Sequence, residues 1–192
     1  MSNTNTYESY LDYNGSKKGI WAWITSTDHK RIGLLYLMGM STFFVVGILI
    51  GLVMKLEMLT PGKTLVDAQT YNALFTLHGV IMIFLFIIPG LPAVFGNFFM
   101  PIQIGAPDVS FPRLNLLSWY LYITGGIFAL ASLFLSGGPI DTGWTFYVPY
   151  SIRTTTNVIL PLLGAFILGF SGILTGLNFI TTIHRMRAPG MT

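Results

Sequence analysis

Long apolar runs separated by short polar segments divide this chain. The runs cover residues 33–54, 73–100, 115–136 and 158–183. A helix needs about 20 apolar residues to cross the hydrocarbon core of a bilayer, and each run reaches that length with almost no charge. The pattern therefore predicts an all-α membrane protein with four transmembrane helices. Pro89 and Pro92 remove backbone donors from the second helix and predict a kink in its second half.

The composition agrees with a membrane protein. Hydrophobic residues make up 53% of the 192 residues and charged residues only 9%, whereas an ordinary soluble domain is about 25% charged. We expect no nucleic-acid partner. The absence of cysteine excludes disulfides, thiolate metal sites and iron–sulfur clusters. Residues 1–20 contain no apolar signal-peptide core, so we expect the N-terminus to be retained.

The basic residues are divided unequally between the two predicted sides of the membrane. One side holds Lys17, Lys18, Lys30, Arg31, Arg113, Arg185 and Arg187, and the other holds Lys55, Lys63 and Arg153. The positive-inside rule then places both termini inside. Trp21 and Trp23 are typical of an interfacial anchor. We therefore expect residues 1–32 to be a polar N-terminal segment with an inner interfacial anchor, and residues 33–192 to be one membrane domain.

His78 lies inside an apolar run, YNALFTLHGVIMIFLFIIPG, residues 71–90. An unpartnered polar group is costly in hydrocarbon, so the imidazole either bonds a neighbouring helix or ligates a haem iron. His78 is predicted near the outer face, whereas His29 and His184 flank the inner helix ends. Asn97 follows 19 residues later, about 28 Å deeper. A haem with two histidine ligands would need its second imidazole from another segment.

The fourth helix carries a polar stripe. Its members are Ser171, Thr175, Asn178 and Thr182, spaced 4, 3 and 4 apart on one helical face. Such a stripe either makes hydrogen bonds between helices or lines a file of water. The pairs Gly47 with Gly51 and Gly172 with Gly176 add small-residue faces that favour close helix packing.

Further polar side chains are predicted at the inner ends of the second and third helices. Asn97, Asn115 and Ser118 lie there, beside the loop PIQIGAPDVSFPRLN, residues 101–115, which contains the single acid Asp108. Asp108 is either a solvated turn residue or the mouth of a proton path.

Five stretches together resemble the N-terminal third of subunit I of the haem–copper terminal oxidases, of the aa3 cytochrome c oxidase kind. They are STDHKRIGLLYL (26–37), YNALFTLHGVIMIFLF (71–86), GNFFMPIQIGAPDVSFPRLNLLSW (96–119), GWTFY (143–147) and GLNFITTI (176–183). Their order and spacing are nearly those of the family, over about residues 24–192. The resemblance implies the first four helices of a twelve-helix bundle.

The resemblance implies a haem site on the outer side. By position, His78 corresponds to an axial ligand of the low-spin haem, and Trp144 to the tryptophan near the haem propionates. Lys55 stands where the family usually has an arginine near the haem A formyl group, so the haem is expected to be haem A or haem B. Glu57, with the Gly62 carbonyl, resembles an outer calcium or sodium site.

The resemblance also implies a proton channel. Asp108 corresponds to its mouth, and its walls correspond to Tyr36, Asn97, Asn115, Ser118, Ser171 and Asn178. Gly172 replaces one of two paired serines of the family. The stripe on the fourth helix is then largely the wall of this channel.

The implied function is that of an oxidase part. Electrons from cytochrome c are expected to pass through the low-spin haem to a haem–copper centre that reduces O2 to water, coupled to proton translocation. Thr70 and Ala73 stand where quinol-oxidising relatives carry polar groups, which favours cytochrome c as donor. The high-spin haem and copper are expected in the complete assembly, not on this segment, which alone is not expected to reduce oxygen.

The expected partners are the remainder of subunit I, subunits II and III, and a lipid membrane of the bacterial cytoplasmic type. Two alternatives stay open at this stage. In the first, the chain is a complete four-helix membrane protein, and His78 either binds a b-type haem shared in a dimer or is purely structural. In the second, the chain is a subunit of a channel or transporter and binds no haem.

Overall fold

The described part of the computed structural model, residues 19–134 and 138–191, consists of helices and connecting loops. The helices are α1 Ile20–Ile24, α2 His29–Glu57, α3 Ala68–Ile104, α4 Pro112–Phe134, α5 Tyr150–Arg153 and α6 Ile159–Met186. Four of them, α2, α3, α4 and α6, are long and apolar enough to cross a membrane. The predicted all-α membrane architecture with four transmembrane helices is therefore confirmed.

α2 and α3 begin before their apolar runs because a polar capping residue sets each start. The Asp28 carboxylate accepts a hydrogen bond from Lys30 N at 2.8 Å, and the Asp67 carboxylate accepts one from Thr70 N at 2.9 Å. Hydropathy marks only the apolar middle of each helix. Residues 1–18 of the predicted N-terminal segment, including Lys17 and Lys18, and residues 135–136 of the predicted third helix lie outside the described residues.

The two prolines of α3 lie where its regular winding is interrupted. Ile81–Ile87 and Gly90–Gly96 form wider π-helical turns on either side of Pro89. Pro89 has no N–H to donate to the Leu85 carbonyl, four residues earlier. Tyr122 Oη of α4 donates to that carbonyl at 2.7 Å instead. The winding of α3 is therefore irregular around Pro89, and a neighbouring helix donates to the carbonyl that the proline cannot serve; the kink itself stays a prediction.

The core lies between the four long helices. Its buried members are Ile32, Tyr36, Phe43, Ile81, Leu85, Ala93, Val94, Tyr122 and Leu168. The backbones of α4 and α6 approach closely, because a Cβ on Gly164 would lie 2.8 Å from the Gly125 carbonyl oxygen. A Cβ on Gly172 or Gly176, by contrast, would have no described atom within 4 Å. These two glycines of α6 therefore border open space rather than a described helix.

The bundle has two ends that carry different chemistry. At one, which we call the Asp108 end, Ala188 N donates to Ile104 O at 2.8 Å, joining the ends of α3 and α6, and His29 of α2 contacts Asp108. Trp21 and Trp23 lie there in α1. At the opposite end, which we call the Asp141 end, α2 stops, α3 starts and the segment 138–158 packs. The interfacial role of the tryptophans stays a prediction.

Candidate functional site

His78 is held against α2 in one tautomer. The half-buried ring places Nδ1 2.9 Å from the backbone oxygen of Gly47. A carbonyl only accepts hydrogen bonds, so Nδ1 carries the proton and Nε2 of the neutral ring keeps its lone pair. Histidines that ligate metals commonly donate their other ring N–H to a carbonyl in this way. Nε2 of His78 therefore keeps a lone pair that could bind a metal ion, and ligation of a haem iron stays a prediction.

The glycines of α2 make room for this ring. A Cβ on Gly51 would lie 3.1 Å from Cε1 of His78, and a Cβ on Gly47 would lie 2.6 Å from Sδ of Met82. The spacing of the two glycines indicated a close helix contact from sequence. The use of the Gly47 carbonyl to orient His78 had no sequence signal, because it depends on how α2 and α3 are rotated.

Trp144 packs one residue along the helix from His78. A Cβ on Gly79 would lie 2.6 Å from Cδ1 of Trp144, so the indole sits directly on the glycine. The ring of Phe84 meets the indole edge-on, with centroids 6.3 Å apart. Lys55 lies in the last turn of α2. Trp144 is thus placed beside the helix that carries the proposed ligand.

The described residues offer His78 no second imidazole. His29 lies at the start of α2 and His184 in the last turn of α6, both at the Asp108 end. Among residues 19–134 and 138–191, no group of three or more His, Cys, Asp or Glu side chains is arranged to hold a metal ion. The described residues therefore offer one imidazole at the Asp141 end, that of His78.

At the other end, Asp108 pairs with a histidine. Its Oδ1 lies 2.9 Å from Nδ1 of His29 and accepts a hydrogen bond from Val109 N at 2.7 Å. The His29 side chain is 7% exposed, whereas that of Asp108 is 37% exposed. Asp108 therefore reaches solvent while contacting a buried group that also binds protons. Sequence reasoning placed both residues at this end but missed their contact across 79 positions.

The stripe of α6 holds the loop that follows Asp108. Asn178 Oδ1 accepts from Phe111 N at 2.9 Å, and its Nδ2 donates to Phe111 O at 3.2 Å. Thr182 Oγ1 accepts from Ser110 N at 2.9 Å. All four stripe residues are buried. The stripe thus faces the protein interior.

Two buried asparagines connect α3 and α4. Asn115 Nδ2 donates to Asn97 Oδ1 at 2.6 Å, and Asn97 Nδ2 donates to Ala93 O at 2.6 Å. Both asparagines are 0% exposed. Asn115 Oδ1 and Ser110 Oγ are buried without a hydrogen-bond partner among the described residues. Buried polar atoms of this kind are ordinarily satisfied by water.

Three hydroxyl groups meet further along α4. Tyr36 Oη donates to Ser118 Oγ at 2.9 Å and lies 3.2 Å from Ser171 Oγ. Ser118 Oγ in turn donates to Asn115 O at 2.6 Å, and Ser171 Oγ donates to Ser118 O at 2.7 Å. The structure therefore brings the residues predicted as channel walls into one buried polar track that starts near Asp108.

The Glu57 carboxylate, predicted as a cation ligand, accepts hydrogen bonds from the loop that follows it. The donors are Thr64 N at 3.0 Å, Leu65 N at 2.6 Å, Val66 N at 3.1 Å and Thr64 Oγ1 at 3.1 Å. Glu57 and Gly62 line the same cavity. The carboxylate thus fastens its own loop, and the calcium or sodium site stays a prediction.

Asp141 is a buried carboxylate that sequence reasoning missed. Four neutral side chains donate to it, namely those of Gln69, Tyr150, Thr154 and Thr156. Burial acts to raise the pKa of Asp141, but these hydrogen bonds outweigh it and hold that pKa below its ordinary value. Nothing in the sequence marks this site, because its donors are scattered over 88 positions and follow no period.

The comparisons identify the family. The family model described as cytochrome c and quinol oxidase polypeptide I matches residues 31–192, and the chain belongs to this family. A cytochrome c oxidase subunit 1-beta of Streptomyces avermitilis is 47% identical over 173 residues, covering 88% of this chain and 31% of the relative. Cytochrome c oxidase subunit 1 of Bacillus subtilis is 43% identical over 174 residues, covering 90% of this chain and 28% of the relative. The chain thus spans about a third of the length of these relatives.

Proposed function

We propose that this chain is part of the catalytic subunit of a respiratory terminal oxidase, an oxidoreductase that takes electrons from cytochrome c and reduces O2 to water. The observation that carries the proposal is His78, whose Nδ1 is fixed on the Gly47 carbonyl so that Nε2 is available to iron. Family membership and the names of the relatives favour this function over a channel without haem.

The haem that His78 would hold is a low-spin haem, of type A or B. When bound, it supplies one-electron transfer. The chain's own residues orient it: α2 sets the imidazole through Gly47 and Gly51, and Trp144 packs beside the ligand on the Asp141 side. The remainder of subunit I would hold the second haem, the copper and any further ligand of the low-spin haem, and it would work with subunits II and III.

Protons are taken up at the Asp108 end, which faces the inside of a bacterial-type cytoplasmic membrane. The described basic residues support this orientation, since Lys30, Arg31, Arg113, Arg185 and Arg187 lie at that end. The Asp108 carboxylate and His29 bind and release protons, and the buried track of amides and hydroxyls holds the water that carries them onward. Moving one charge against 100 mV requires about 2.3 kcal/mol, which oxygen reduction supplies.

The haem assignment is tested by His78→Ala in the assembled enzyme. The low-spin signal in a reduced-minus-oxidised spectrum should disappear, because no other described histidine lies at the Asp141 end. His184→Ala is the matched control, since it removes an imidazole at the opposite end, and it should keep the signal. A His78→Ala enzyme with an unchanged low-spin spectrum would show that the ligand assignment is wrong.

The proton role is tested by Asp108→Asn. The amide keeps the shape of the side chain but does not ionise, so turnover should fall strongly at normal haem content. Asp67→Asn is the control, because it is the same substitution at the opposite end of the bundle and asparagine still caps α3. Turnover and proton pumping at wild-type levels in Asp108→Asn would exclude the role.

A further inference from the structure

Asp141 ties together three separate parts of the Asp141 end. It is 7% exposed, and each of its carboxylate oxygens accepts two hydrogen bonds. Gln69 Nε2 and Tyr150 Oη donate to Oδ2 at 2.6 and 2.7 Å, and Thr156 Oγ1 and Thr154 Oγ1 donate to Oδ1 at 2.9 and 3.0 Å. The donors come from the first turn of α3, from α5 and from the chain just after it.

The segment fixed in this way carries Trp144. Gly143 N donates to Thr76 Oγ1 of α3 at 2.8 Å. The next residue, Trp144, rests on Gly79, where any side chain would overlap the indole. Asp141 and Gly143 thus hold the chain to α3 on the N-terminal side of the indole, at Gln69 and Thr76. The position of the indole depends on both attachments.

We propose that Asp141 is a positioning residue, which ties the Trp144 segment to α3 and thereby sets how the indole packs beside the haem ligand His78. This inference rests on the proposed function only for the haem at His78. The tie itself is the set of hydrogen bonds that the Asp141 carboxylate accepts from Gln69 of α3 and from the three hydroxyls of residues 150–156.

A carboxylate is required at this position because it accepts at both oxygens. An asparagine has one accepting oxygen, and its NH2 group only donates. Asp141→Asn therefore replaces two of the four acceptor sites by an NH2 group, so two of the hydroxyls must turn round and accept instead of donating, and the negative charge is lost. Hydrogen bonds to a charged acceptor are also the stronger ones. The segment should open more often in this variant, and the indole should shift relative to Gly79.

The test compares three variants in the purified assembly. Asp141→Asn breaks the tie, and Gln69→Leu removes the α3 donor but keeps the carboxylate and its other three donors. Asp67→Asn is the matched control: it is the same substitution at the same end of α3, and asparagine still caps the helix. The readouts are hydrogen exchange at the Gly143 amide and the low-spin band in the reduced-minus-oxidised spectrum.

We expect exchange at Gly143 to become about tenfold faster in Asp141→Asn and Gln69→Leu, together with a shifted low-spin band. Asp67→Asn should match the wild type in both readouts. Exchange or a band position equal to the control in both variants would overturn the positioning role. Should Asp141→Asn fail to assemble, Gln69→Leu decides by the same criteria. If the wild-type assembly contains no low-spin haem, the proposed function fails, whereas the exchange comparison still decides whether the tie exists.

Discussion

Gly51→Ala probes how closely α2 supports the proposed haem ligand. The added Cβ would lie 3.1 Å from Cε1 of His78. Carbon atoms prefer separations of about 3.5–4.0 Å, so the ring must move by roughly 0.4–0.9 Å. A shift of that size away from α2 lengthens the 2.9 Å bond between Nδ1 and the Gly47 oxygen to about 3.3 Å or more, past the usual range. Overpacking of this kind costs about 1–3 kcal/mol.

The assay is the low-spin spectrum of the assembled enzyme, with haem retention followed on warming. Gly51→Ala should shift the low-spin band and lower the temperature at which haem is lost, because the ligand is displaced and its orienting hydrogen bond weakened. Gly169→Ala is the control: it adds the same methyl group to a long apolar helix at an exposed position with no described atom within 4 Å. A Gly51→Ala enzyme that matches Gly169→Ala in both measurements would refute the packing argument.

Two further predictions concern other parts of the bundle. Tyr122→Phe removes the hydroxyl that donates to the buried Leu85 carbonyl and should destabilise the assembly by about 1–3 kcal/mol. Adding Pro89→Ala restores a backbone N–H that can donate to the same carbonyl, so the double variant should recover part of the loss. Strictly additive shifts of the thermal midpoint would contradict the hydrogen-bond assignment. Because the pKa of Asp141 is lowered on folding, its stabilisation is complete above the unfolded value of about 3.9 and is lost only as the pH falls through the lower folded value. Protection of the Gly143 amide, corrected for intrinsic exchange, should therefore hold from pH 7 to about 5 and fall below about 4; loss of protection already near pH 6 would rule this out.

The polar track illustrates how far spacing alone reaches. The interval between Ser171, Thr175, Asn178 and Thr182 placed all four on one face of a helix, and the structure buries that face. Which neighbours the face meets was not predictable from its own period. The Asn178 side chain hydrogen-bonds both the N–H and the carbonyl of Phe111, 67 positions away, and Ser171 Oγ donates to the carbonyl of Ser118 in α4.

The Asp141 site was not predictable in any part. Its donors belong to loops and helix ends, where no repeating pattern relates one residue to the next. An isolated aspartate in a loop is most often solvated, and only the folded chain surrounds this one with four donors.

The sequence by itself determined the membrane class and the four long helices, and it singled out His78 and Asp108 as candidate functional residues. It could do so because hydrocarbon demands long uncharged helices, and because a histidine or aspartate among apolar residues stands out. The tertiary structure decided how these side chains are paired. The tautomer of His78 depends on the Gly47 carbonyl, the partner of Asp108 is His29, and the place of Trp144 follows from Gly79. Each of these contacts depends on the rotation and depth of one helix against another, which packing of the whole bundle fixes and local sequence does not.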